Sequence, residues 1–233
     1  MNNLTGKVAL ISGGGTGLGK ETALAFAKAG INLVICGRHT DKLEQVKDLI
    51  TDQYDVDVLV VGADVSIESD VKTLFKAAFD HFQRVDILVN CAADFNQYHV
   101  IDCPLDSFEY LIHNNTTSVF LMMRECLPIM RNQKAGHIIN ITSGLAREGA
   151  AGFGAYAASK AAVEALSFSV EDEEHKNGIQ VHVFNPGVMK TTLFHIGDDP
   201  ANVAPYLLQL AQTKSLHEKK VIQLDDFPLS VDA

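Results

Sequence analysis

The chain has no Cys-x-x-Cys pair. Its four cysteines, Cys36, Cys91, Cys103 and Cys126, are scattered, and Cys36 and Cys91 fall at the ends of apolar runs. Buried, reduced thiols are the simple reading. The nine histidines show no ligand spacing, so no metal is expected. Basic residues are scarce: 19 Lys and Arg stand against 29 Asp and Glu, a net charge of −10. Nucleic acid and anionic membrane, which need clustered cations, are therefore poor partners. No apolar run approaches membrane-spanning length. The start, Met1-Asn-Asn-Leu-Thr-Gly-Lys7, has no basic stretch leading into an apolar one. No secretory leader is expected, and the cytoplasm is the expected location.

What is present suits a buried core. The chain has 233 residues and 47% hydrophobic content, and 1–233 reads as one domain. Short apolar runs alternate with helical stretches. Strands are expected at Lys7 to Ser12, Ile31 to Cys36, Asp57 to Val61, Val85 to Val89, His137 to Ile141, Ile179 to Phe184 and Lys220 to Leu224. Helices are expected at Lys20 to Ala29, Asp41 to Thr51, Glu68 to Phe82, Asp106 to Arg131, Tyr156 to His175 and Val203 to Gln212. This alternation predicts the α/β class: a doubly wound parallel sheet, the Rossmann fold, of about seven strands with helices on both faces. Ligands of such sheets sit at the strand carboxyl ends, where the strand order reverses.

The first strand runs into Gly13-Gly-Gly-Thr-Gly-Leu-Gly19, five glycines in seven residues. The pattern is G-x-x-x-G-x-G. It misses G-x-G-x-x-G because Leu18 and Lys20 occupy the third-glycine positions. The physics is shared: glycines let the backbone approach a pyrophosphate, and the next helix offers free N–H groups. At the end of the second strand, where NAD-binding chains usually place a carboxylate, stands Gly37-Arg38-His39-Thr40. Arg38 can pair with a 2′-phosphate, which favours NADP(H), with NAD(H) the alternative.

Farther on, Tyr156 and Lys160 stand four apart in an alanine-rich run, on one helix face. Ser143 precedes them, just after the apolar run His137-Ile-Ile-Asn-Ile-Thr142. A phenol with a pKa of about 10 is a poor proton donor or acceptor at neutral pH. A nearby ammonium favours the phenolate and lowers that value. A serine hydroxyl beside it can hold a carbonyl or alcohol oxygen, which makes a proton-transfer site for C=O/CH–OH interconversion. Tyr-x-x-x-Lys alone is a weak pattern that ordinary amphipathic helices also carry.

In order and spacing, these motifs resemble the short-chain dehydrogenase/reductase family over almost the whole chain, and its 3-oxoacyl and carbonyl reductase-like members in particular. Ser12-Gly-Gly-Gly-Thr-Gly-Leu-Gly19 resembles the family's glycine turn, with Ser12 where threonine is usual. Asp64-Val65 resembles the pair that contacts adenine, and Asn90-Cys-Ala-Ala93 the Asn-Asn-Ala-Gly segment. Asn115, Ser143, Tyr156 and Lys160 match the catalytic positions. Pro186-Gly187-Val188 and Thr191 match the loop that holds the nicotinamide carboxamide.

The resemblance implies an NADP(H)-dependent enzyme with Tyr156 as acid/base. Lys160 lowers its pKa and binds ribose, Ser143 orients the oxygen, and Asn115 holds a relay water. It also implies cofactor contacts from Ser12, Gly13, Gly15, Thr16, Gly17, Leu18, Gly19, Arg38, Asp64, Val65, Asn90, Ala92, Tyr156, Lys160, Pro186, Gly187, Val188 and Thr191. Ser143, Leu145, Phe153 and Tyr156, with Met189 and Phe194, are expected on the substrate side. The alternative is a catalytically silent NAD(P)-binding regulator of the same fold; the intact quartet argues against it. A homodimer or homotetramer acting on a small molecule is implied, with pairing through the two long helices.

Three further expectations come from the residues. Cys91 and Ala93, which replace the second Asn and the Gly of Asn-Asn-Ala-Gly, read as packing variation. Glu171-Asp-Glu-Glu174 reads as a solvated face at a helix end. Arg147-Glu148 reads as a surface pair.

Overall fold

The computed structural model describes residues 4–190, 196–213 and 221–227. Seven parallel strands form one sheet: β1 Val8–Ser12, β2 Asn32–Gly37, β3 Val58–Gly62, β4 Ile87–Asn90, β5 Gly136–Ile141, β6 Ile179–Asn185 and β7 Ile222–Gln223. Their order is β3-β2-β1-β4-β5-β6-β7. The order reverses between β1 and β4, which pair in register from Ala9↔Ile87 to Ser12↔Asn90. A crevice therefore opens above the carboxyl ends of these two strands.

Both faces of the sheet are covered, which is why its strands are apolar throughout. Every residue of β1 and β4 is buried. Successive side chains point to opposite faces. Ala9 and Ile11 pack into one core with Phe26, Leu43, Val46, Ile50, Val203, Leu207 and Leu210. Those residues come from α1 (Gly17–Lys28), α2 (Thr40–Thr51) and α8 (Pro200–Gln212). Val8 and Leu10 face the other core, with Leu74, Phe75, Met122, Met123, Cys126 and Val163. These belong to α3 (Glu68–Phe82), α5 (Ser118–Gln133) and α7 (Gly154–Glu174).

The long helix expected at Asp106 to Arg131 has three parts. The segments α4 (Leu105–Ile112) and α5 are joined by a π-helical turn, His113–Thr117. Hydrophobic periodicity does not register one extra residue in a turn, and such turns gather at functional sites. A short helix, α6 (Leu145–Glu148), stands between β5 and α7.

Of the two charged segments, Asp172 and Glu173 are exposed as expected, while the readings of Glu174 and Arg147 are corrected. Glu174 lies wholly inside, bonded by Arg131 Nε at 2.9 Å and Asn177 Nδ2 at 2.8 Å. Arg131 holds its carboxyl below the usual carboxylate range. Burying a carboxylate requires such partners, and a sequence run of acids does not reveal them. Arg147 does not pair at the surface with Glu148; its Nε donates to the buried Glu164 at 3.1 Å. All four cysteines are free thiols, and burial pushes the Cys36 and Cys91 thiols up to about 12. None of the helices is long and apolar enough to cross a membrane among the described residues.

Candidate functional site

One cavity of about 700 Å³ runs along the crevice. At its floor is the turn from β1 into α1. Gly13 has φ +69°, and a Cβ there would stand 3.0 Å from the Ala92 nitrogen. A Cβ on Gly19 would meet the Gly13 carbonyl oxygen at 2.3 Å. Only glycine lets the turn fold this tightly under the helix. Thr16 occupies the N-cap of α1 without a side-chain bond to the helix, so the first N–H groups are left for a ligand. Gly13, Gly15, Thr16, Gly17, Leu18 and Gly19 all line the cavity. This backbone cradle fits the pyrophosphate of a dinucleotide.

Arg38, Asp64, Val65 and Ala92 line one end, and Pro186, Gly187 and Val188 the other, along with Ser143, Leu145, Phe153, Met189, Tyr156 and Lys160. Three expected residues stand elsewhere. Ser12 is buried and its Oγ accepts from the Ala92 N–H at 3.1 Å, tying β1 to the loop after β4. Asn90 is buried in the sheet; its Nδ2 donates to Asn140 Oδ1 at 2.7 Å, and Asn140 Nδ2 to Ser167 Oγ at 2.8 Å. That ladder links β4 and β5 to α7. Asn115 is also off the cavity wall, while its neighbour Asn114 is on it. Motif spacing locates these residues near the crevice but does not say which way a side chain turns. Thr191 and Phe194 lie outside the described residues.

The side chain of Asn115 makes three hydrogen bonds. Its Oδ1 accepts from the Asp94 N–H at 2.7 Å, and its Nδ2 donates to the Asp94 carbonyl at 2.9 Å and to Ser159 Oγ at 3.0 Å. Ser159 Oγ in turn donates to the Tyr156 carbonyl at 2.7 Å, and Thr116 Oγ1 donates to the Ser159 carbonyl at 2.9 Å. The π turn is thus latched to α7 between Tyr156 and Lys160. Both Nδ2 protons of this amide are used, while its Oδ1 keeps a second lone pair as acceptor.

Tyr156 and Lys160 share a helix face as expected. Lys160 Nζ lies 5.9 Å from the centre of the Tyr156 ring. Phe95 covers that ring edge-on at 5.4 Å and packs on Phe153 at 5.5 Å. The protein's own groups hold the phenol above its ordinary pKa. Burial pushes the Tyr156 pKa up, and a hydrogen bond with Ser143 only partly offsets this. Lys160 is buried, its Nζ donates to the Ile141 carbonyl at 2.9 Å, and desolvation brings its pKa down to about 8. Low dielectric disfavours both charged forms, and here that effect wins.

Between Ser143 and Tyr156, α6 is held from behind. Glu164, one turn beyond Lys160 on α7, accepts from Thr142 Oγ1 at 2.8 Å as well as from Arg147. At the other end, Arg38 Nη2 donates to Asp94 Oδ2 at 3.2 Å and Arg38 Nη1 to the Tyr110 hydroxyl at 3.3 Å. The Tyr110 hydroxyl donates to Asp94 in turn. Lys42 and His39 complete that wall. Asp94, Tyr110, Phe95, Glu164 and Lys42 carry no motif and went unassigned in the sequence. Asp94 alone had a signal, its place directly after Asn90-Cys-Ala-Ala93.

The comparisons agree with this geometry. The family model described as short chain dehydrogenase matches residues 7–199. An uncharacterized oxidoreductase of Staphylococcus haemolyticus is 31% identical over 224 residues, covering 93% of this chain and 95% of that protein. The crystal structure of levodione reductase superposes with a TM-score of 0.90 at 25% identity, covering 96% of this chain and 97% of that one. That of a 3-ketoacyl-(acyl-carrier-protein) reductase from Brucella melitensis complexed with NADH gives 0.86 at 28% identity, covering 95% and 97%. Sheet order, glycine cradle and matches together show that the chain belongs to the short-chain dehydrogenase family, oxidoreductases of carbonyl and alcohol groups that use NAD(P)(H).

Proposed function

We propose that the protein is an NADP(H)-dependent enzyme interconverting a carbonyl and a secondary alcohol, with Ser143, Tyr156 and Lys160 as its catalytic residues. The observation that carries this reading is that all three line the same cavity as the Gly13–Gly19 cradle. The nicotinamide, when bound, supplies or accepts the hydride. The protein's part is to hold the substrate oxygen and move a proton. Ser143, on the same cavity wall as Tyr156, orients that oxygen. Tyr156 keeps its proton at neutral pH and gives it to the oxygen as negative charge develops there. The Lys160 ammonium stabilises the phenolate as it forms. Asn115 is the fourth catalytic position and holds the relay water beside Lys160, a role supported by its place on the π turn and its bond to Ser159 Oγ on α7.

For the cofactor, NADP(H) is supported by Arg38, His39 and Lys42 on the wall at the end of β2, where Gly37-Arg38-His39-Thr40 holds no carboxylate. Leu145, Phe153, Met189 and Ile196 give the substrate side an apolar lining. The assembly we infer is a homodimer or homotetramer, supported by Leu105, Phe108 and Phe120, which leave apolar side chains exposed along the α4–α5 rod. We also assign the chain to the cytoplasm and to a single domain over 1–233. The test is NADPH consumption across β-keto esters, quinones, steroids, sugars and aldehydes, repeated with NADH. Turnover of at least one class, faster with NADPH, is expected. Arg38→Asp is expected to weaken NADP(H) more than NAD(H); equal loss for both contradicts the cofactor assignment.

A further inference from the structure

The Arg38 guanidinium, which lines the cavity just after β2, is not free. Asp94 and Tyr110 hold it from the far side of the crevice, across 56 and 72 positions of sequence. Asp94 is itself fixed: both its backbone N–H and its carbonyl are bonded by Asn115, so its carboxylate cannot retreat by moving the loop. Its side chain is 22% exposed and that of Arg38 48%, so water does not fully screen the pair. Arg38, Asp94, His39 and Lys42 line the same cavity.

We propose that Asp94 is a specificity-determining residue that sets how strongly the site prefers a 2′-phosphate over a 2′-hydroxyl. A phosphate at the ribose 2′ position brings up to two negative charges beside Arg38. Asp94 opposes it in two ways. Its carboxylate occupies guanidinium hydrogen bonds the phosphate needs, and its charge repels the phosphate directly. A 2′-hydroxyl meets neither obstacle. Tyr110 strengthens the hold by bonding both partners. The chain thus carries a cationic wall favouring phosphate and one acidic residue that limits the preference. This inference rests on the cavity binding a dinucleotide, and it holds whichever cofactor the unmodified protein prefers.

The experiment is calorimetric binding of adenosine 2′,5′-bisphosphate and of 5′-AMP to the full chain, which isolates this end from the redox chemistry. With Asp94→Asn, the affinity ratio of bisphosphate to 5′-AMP is expected to rise about fivefold, the scale of one half-exposed ion pair. The 5′-AMP affinity is expected to stay within about twofold. Asp94→Ala is the second variant should the first not fold, with the same expected direction. In an Arg38→Ala background, most of the gain disappears if Asp94 acts by holding Arg38. Any gain that persists without Arg38 measures the direct repulsion, and an unchanged or falling ratio in the otherwise unmodified protein overturns the inference, as does equal loss of both ligands. If the unmodified protein binds 5′-AMP more tightly than the bisphosphate, the NADP(H) assignment fails while the response to Asp94→Asn still decides this one.

Discussion

At the end of the crevice proposed for the nicotinamide, Ser143, Tyr156 and Lys160 stand on or beside regular elements, and buried polar groups hold those elements together. Asn115, Ser159, Thr142, Glu164 and Asn140 are all at most 7% exposed. At the end proposed for the adenosine, Arg38 extends from the loop after β2 and is steadied by Asp94 and Tyr110 at a half-exposed surface. The contrast follows from what each end must do. Proton transfer needs reacting groups held to fractions of an ångström, which buried and satisfied hydrogen bonds provide. Discrimination between two cofactors needs only a difference in charge, and exposed side chains can supply that.

The largest effect should come from breaking the buried side. Arg147→Ala leaves the Glu164 carboxylate inside with Thr142 as its remaining bonded partner. A loss of roughly 1–3 kcal/mol in urea unfolding is expected, because the charge is left under-satisfied. Activity should fall as well, since α6 loses its tie behind Ser143. A loss below about 0.5 kcal/mol would place this pair with ordinary surface bridges.

Lys160 sharpens the same comparison through pH. Its folded pKa, about 8, lies below the usual lysine value of 10.5. Between these values the unfolded chain binds more protons than the folded one, so this group makes stability rise with pH. The contribution is fully present above the unfolded value and is lost as pH falls through about 8. The stability of the unmodified protein relative to Lys160→Met should therefore climb from about pH 8 to 10.5. A flat difference means that the ammonium is solvated.

The smallest effect on stability belongs to the adenosine end. Asp94→Asn, for all its expected consequence for phosphate preference, should shift unfolding by no more than about 1 kcal/mol. A larger shift makes the bridge a structural element and removes the contrast between the two ends.

The sheet, its helices and the residues of the glycine cradle were legible in the sequence because alternating apolar runs and glycine placement act locally. Glu68–Phe82 appears with the bounds read from its periodicity. The π turn was not legible, since a single extra residue leaves the apolar stripe almost unchanged. The directions of Ser12, Asn90 and Asn115 were not legible either: a motif fixes a position along the chain, while the partner that captures the side chain comes from another element. The same holds for Glu164 with Arg147 and for Arg38 with Asp94, pairs 17 and 56 residues apart. The rise of the Tyr156 pKa was hidden for a related reason. Spacing shows that a lysine is near but not how much water remains around the ring.

The most direct test of the account is Tyr156→Phe, measured for NADPH binding and for single-turnover reduction of whichever carbonyl the screen identifies. The account predicts that NADPH binds within about twofold of normal while reduction slows by roughly 10²–10⁴-fold, the contribution of a positioned proton donor. Reduction at an undiminished rate by a folded, NADPH-binding variant would contradict it.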